Sequence, residues 1–66
     1  MSMTYRYYLY GGKTPVRLVI DDDGLPDDAE IWRDGRFEKA SQIVPDLMMG
    51  TDAIEVSEVR FNAALR

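Results

Sequence analysis

Six carboxylates stand within ten residues: Asp21, Asp22, Asp23, Asp27, Asp28 and Glu30. No base interrupts them, so the stretch carries −6, while the rest of the chain has six acids and eight bases. Oxygen donors at this density suit three chemistries: chelating a cation, acid–base work, and standing in for phosphate. The first twenty residues are the reverse, with Arg6, Lys13 and Arg17 and no carboxylate. Tyr5, Tyr7, Tyr8 and Tyr10 interleave with Arg6 there. Tyrosine and arginine are enriched where proteins meet, and aromatics beside bases also serve single-strand binding.

Each chemistry has requirements. A calcium loop of the EF-hand type takes oxygen ligands at its first, third, fifth, seventh, ninth and twelfth positions, with glycine sixth. With Gly24 as sixth, Asp21, Asp23, Asp27 and Glu30 fall at ligand positions, but Val19 takes the first and Pro26 the eighth. No metal or other cofactor is expected. Carboxylate catalysis needs burial to separate two pKa values, and a glycine- and proline-bearing loop offers none. The chain has neither histidine nor cysteine, which removes the usual general base and the thiolate nucleophile. No enzymatic activity is expected. Direct nucleic-acid binding is disfavoured, because a net charge of −4 opposes the phosphate backbone; a weak binder of divalent cations or of nucleic acid stands as a further alternative.

Protein binding fits the same residues. The sequence reading places two contact surfaces: the acidic segment 21–30, and an outward row of Thr4, Arg6, Tyr8 and Tyr10, with Trp32 as an apolar anchor. The partner is a protein whose identity the residues do not give. A homodimer through the first strand's edge or face would serve as well, since open edges invite pairing. A narrower alternative is inhibition. By analogy of size and charge, small acidic proteins without cysteine include phage-encoded inhibitors whose carboxylates occupy phosphate sites on nucleases or nucleic-acid-binding proteins.

These residues need elements to hold them. Sixty-six residues make a single domain, 1–66, able to bury only about 60% of the surface its unfolded chain exposes. The longest aliphatic run, Leu18-Val19-Ile20, is short of a membrane span, and the N-terminus lacks a signal peptide's apolar stretch. A cytoplasmic location is the expectation. Alternation predicts a strand over 3–10 and a second over 15–20, joined by a turn at Gly11-Gly12 that Lys13-Thr14 extends, as a hairpin burying Leu9, Leu18 and Ile20. The acidic segment 21–30 reads as a long solvated loop.

Asp34-Gly35 then marks a two-residue hairpin between strands 29–33 and 36–40. That loop length sets Arg33 opposite Arg36, Trp32 opposite Phe37, Ile31 opposite Glu38, and Glu30 opposite Lys39 as an ion pair. Ser41 is a candidate N-cap, Pro45 suits the first turn of a helix over 44–49, and Gly50 ends it. Ala53–Val56 is a brief strand, and Ser57 caps a helix over 57–65; the near-alternation of Ile54, Val56, Val59 and Phe61 leaves one strand over 53–61 as the alternative. The class is α+β: one small antiparallel sheet of two hairpins with short helices on one face. The predicted core is Tyr7, Leu9, Leu18, Ile20, Trp32, Phe37, Ile43, Leu47, Ile54, Val56, Phe61 and Leu65.

The run Glu30-Ile31-Trp32-Arg33-Asp34-Gly35-Arg36-Phe37, then a helix with Leu47 and Gly50, then Ile54-Glu55-Val56-Ser57, resembles small uncharacterised bacterial proteins. Those carry an aromatic W-R-D-G-x-W/F hairpin followed by short helices. The likeness covers residues 30–65 and departs at Val59-Arg60-Phe61. It implies the order hairpin then helix, and it carries no activity.

Overall fold

The computed structural model describes residues 4–50 and 52–65. Five strands form one antiparallel sheet: β1 (Thr4–Tyr10), β2 (Thr14–Ile20), β3 (Pro26–Arg33), β4 (Arg36–Lys39) and β5 (Ala53–Val56), ordered β4-β3-β2-β1-β5. A 3-10 turn (Ser41–Ile43) leads into α1 (Val44–Met49), and α2 (Glu58–Ala64) follows β5. The α+β class and its single antiparallel sheet are as the sequence indicates. The expected start of the first strand at Met3 lies outside the described residues.

The β3–β4 register is the one the two-residue loop requires, from Arg33 opposite Arg36 to Glu30 opposite Lys39. Asp34 and Gly35 supply the two positive φ angles, 55° and 81°, that such a turn needs. Pro45 sits in the first turn of α1, where its missing N–H costs nothing, and Gly50 closes that helix at φ 73°. Ser57 caps α2, its Oγ accepting from the Arg60 N–H at 3.2 Å. Ser41 does not cap α1; its hydroxyl donates instead to Asp28 at 2.7 Å, which fixes the turn to β3.

The first hairpin differs from expectation in one decisive way. Its loop is three residues, Gly11–Lys13, because Tyr10 pairs with Thr14. A shift of one residue sends every side chain to the opposite face. Tyr8 therefore stands opposite Val16, and Arg6 opposite Leu18, while Leu9 faces the other way, opposite Pro15. Tyr8, expected on the outside, is 6% exposed in a core with Val16, Leu18, Ala29, Leu47 and Ala53. Ile43 and Val44 close over that core from the α1 side.

The helices do not share a face. α1 covers the Tyr8 face through Leu47, whereas α2 sets Phe61 against Tyr7, 4.7 Å between ring centres, on the opposite side. Phe61 also stacks on Phe37 at 6.0 Å, and Trp32 meets Phe37 edge-on at 4.9 Å. A five-stranded sheet this small exposes two apolar faces, and one short helix on each is the arrangement that covers both. Of the predicted core, Leu9, Leu18, Leu47 and Phe61 are buried. Ile54 is 61% exposed, because β5 is an edge strand and this residue opposes Leu9 at the sheet's margin.

Candidate functional site: an acidic turn and the start of the first strand

The acidic segment is a loop only over residues 21–25; from Pro26 it is strand β3, paired to β2. Like charges are tolerated in a strand because alternation separates them and the neighbours supply partners. Glu30 stands opposite Arg17 and pairs with its guanidinium rather than with Lys39, correcting the expected Glu30–Lys39 contact. Lys39 reaches Asp28 instead, at 3.5 Å.

Asp28 is thoroughly committed. One oxygen accepts from the Ser41 hydroxyl and from the Ala29 N–H, each at 2.7 Å. The Ser41 bond first, then the Ala29 bond, hold its carboxyl below the usual range, with Lys39 helping. Asp21 is spent on the turn: its Oδ1 accepts the N–H groups of Asp23 and Leu25, both at 2.9 Å, while Gly24 takes φ 80°. Asp27 has no cross-strand partner, because the register slips between Val19–Asp28 and Ile20–Pro26. Of the six acids, Asp22, Asp23 and Asp27 are thus exposed with no side-chain hydrogen bond or ion pair among the described residues. No group of three or more acidic side chains among the described residues is arranged to hold a metal ion.

The tyrosine–arginine row divides as well. Tyr8 is core, and the Tyr10 hydroxyl donates to Asp46 on α1 at 3.0 Å. Arg17 lies between rings, its Cζ 3.8 Å from the Phe37 centre and 4.6 Å from that of Tyr5. Trp32 is half-buried against Phe37, on the face opposite Tyr8. The outward row of Thr4, Arg6, Tyr8 and Tyr10 is therefore broken, and Trp32 does not join it. Thr4 and Arg6 remain exposed, Arg6 with no ion pair among the described residues.

What the fold does bring together is Arg6 and the acidic turn. Thr4, Tyr5 and Arg6 of β1, Leu18 and Ile20 of β2, Gly24 and Pro26 of the turn, and Met48 of α1 line one hollow of about 360 Å³. Ile20 and Thr4 are cross-strand partners, and Ile20 also pairs with Pro26, so the register itself builds the floor. Leu25, between two lining residues, is 59% exposed, and Met48 is 57% exposed. Sequence reasoning missed Tyr5, Ile20, Leu25 and Met48; only the three-residue loop at Gly11–Lys13 could have pointed to this face. A second hollow, about 500 Å³, opens between Tyr10, Ile31, Trp32, Arg33 and Ile43 at the other end of the sheet.

No helix among the described residues is long and apolar enough to cross a membrane. Set beside known protein families, curated proteins and solved structures, the chain matches none of them.

Proposed function

We propose that this protein is a binding module that carries out no chemistry of its own and seats a basic protein surface on its acidic turn. The observation that carries the reading is the shared hollow. Its walls are mixed: Leu18, Ile20, Pro26 and Met48 give an apolar part, and Thr4 and Arg6 a polar one. Within two residues of its lining Gly24 and Pro26 in the chain stand Asp22, Asp23 and Asp27, exposed carboxylates with no side-chain hydrogen bond or ion pair among the described residues. An apolar side chain of the partner fills the hollow while its lysines or arginines meet the carboxylates. Charge complementarity of this kind speeds encounter and fixes orientation, and salt screens it.

The test is affinity capture from a lysate of the source organism at low and raised salt. Wild-type protein is compared with Asp22→Asn/Asp23→Asn/Asp27→Asn and, separately, with Met48→Ser. All four positions are exposed, so the fold survives. One stoichiometric partner, lost at raised salt and lost by both variants, supports the reading. A partner that both variants retain, or none at either salt, overturns it. A partner whose own ligand is nucleic acid narrows the reading to inhibition, with the carboxylates standing where phosphates bind.

A further inference from the structure

The β1 edge, the first candidate for self-association, is occupied by β5 from Tyr7 to Tyr10. The sheet's outer edges are β4 and β5. Their sequences differ in what they would meet in a second copy of themselves.

In a hairpin with a two-residue loop, the residues flanking the loop exchange backbone hydrogen bonds, and the next pair does not. Arg33 and Arg36 flank this loop, so Trp32 and Phe37 form the pair that does not. The N–H and C=O groups of Phe37, and by the same alternation those of Lys39, therefore point away from β3 toward the open edge. Arg36 and Glu38 project from one face of β4, and Phe37 and Lys39 from the other. The Arg36 and Glu38 side chains are 75% and 37% exposed, and their 3.5 Å contact is one a nearby charge could redirect.

We propose that β4 is a self-association edge, along which two copies pair antiparallel about a two-fold axis through Phe37. In that register Phe37 exchanges both backbone hydrogen bonds with Phe37 of the second copy. Arg36 falls opposite Glu38 of the second copy, and Glu38 opposite its Arg36. These two pairs are of the non-hydrogen-bonded kind, in which side chains approach more closely. Opposite charges there stabilise the pairing and like charges oppose it. The contact is the same patch on both partners, so it closes at two. β5 lacks this property: a two-fold through Glu55 sets like charges together, and one through Ile54 matches no opposite charges.

The test uses the full chain and light scattering over a concentration series from about 10 µM to about 1 mM. Wild-type mass rises toward twice the monomer. Arg36→Glu alone and Glu38→Arg alone each set like charges opposite one another, raising the dimer's dissociation constant about tenfold or more. An equimolar mixture of the two variants regains the dimer, because every cross-copy pair is again Glu with Arg. Loss of fold cannot produce that rescue. A wild type that stays monomeric, or a mixture no more associated than its components, overturns the proposal. So does a weakening in one variant with a strengthening in the other, the signature of β4 meeting the acidic β5 edge head to tail. A second measurement needs no variant: the Phe37 and Lys39 amides gain hydrogen-exchange protection as wild-type concentration rises, and unchanged protection overturns the pairing.

Discussion

The Tyr10 hydroxyl donates to Asp46 Oδ2 across 3.0 Å, tying β1 to α1 between residues 36 apart in the chain. Among the described residues it is the side-chain hydrogen bond that fastens this helix to the sheet, beside the apolar contacts of Leu47.

Tyr10→Phe keeps the fold and lowers the melting temperature near neutral pH. The hydrogen bond to Asp46 first, then burial and the charges of Asp46 and Asp52, raise the Tyr10 pKa above 10, the ordinary tyrosine value. The folded state therefore holds this proton more tightly than the unfolded state. Its contribution is complete below pH 10 and is lost as pH rises through the folded-state value. Thermal melts across alkaline pH should show a shallower decline for Tyr10→Phe than for wild type. Tyr7, also raised, by burial and then Glu58, declines alike in both proteins and cancels from the comparison. Equal slopes would contradict the assignment.

Two apolar residues near the C-terminus should respond oppositely. Phe61 is 1% exposed and touches Tyr7 and Phe37. Truncating a buried phenylalanine costs about 3–5 kcal/mol, comparable with the roughly 3–5 kcal/mol that a core of this size supplies. Phe61→Ala should be largely unfolded by far-UV circular dichroism at 25 °C. Ile54→Ser, at a position 61% exposed, should shift stability by no more than about 0.5 kcal/mol in urea melts.

Asp28 sets part of the acid limit. Its folded pKa lies below the ordinary 3.8, so its stabilisation is present above that value and is lost as pH falls through the folded one. Asp28→Asn should be less stable than wild type at neutral pH and should show a flatter loss of melting temperature in acid. Ser41→Ala, which removes the largest cause, should move the acid limb part of the way. An unchanged limb in both variants would remove Asp28 from the account.

Where one local signal decides the geometry, the sequence was readable. Asp34-Gly35 sets a loop of two and with it four cross-strand pairs, including Trp32 with Phe37. Pro45, Gly50 and Ser57 mark helix ends where they fall. Gly11-Gly12-Lys13-Thr14 gives no such decision, since loops of three and four residues are both open to it and each turns a different row of tyrosines inward. Residues 26–30 look like loop because their charges are compensated by Arg17 and Lys39, which are neighbours only once the strands pair. The hollow is harder still to foresee. Arg6, Asp22 and Asp23 stand out by type, but Ile20 and Met48 join them only through the register and the placement of α1.

The strand order has a kinetic consequence. β1 through β4 are joined to their sequence neighbours by short turns, so three hairpins can zip in succession from local contacts. β5 alone must return past the whole meander to lie beside β1, bringing Ile54 to Leu9. Closing that long loop carries the largest entropic cost of the strand pairings, and we predict that it takes place only after the rate-limiting barrier, once the meander has formed. Stopped-flow chevrons test this with Ala53→Gly, which weakens β5 at a buried position. A loss of about 1 kcal/mol should appear as roughly fivefold faster unfolding with the folding rate unchanged. Slower folding instead would place β5 in the nucleus. On the first outcome, the native protein leaves its folded state by peeling from the β5 edge.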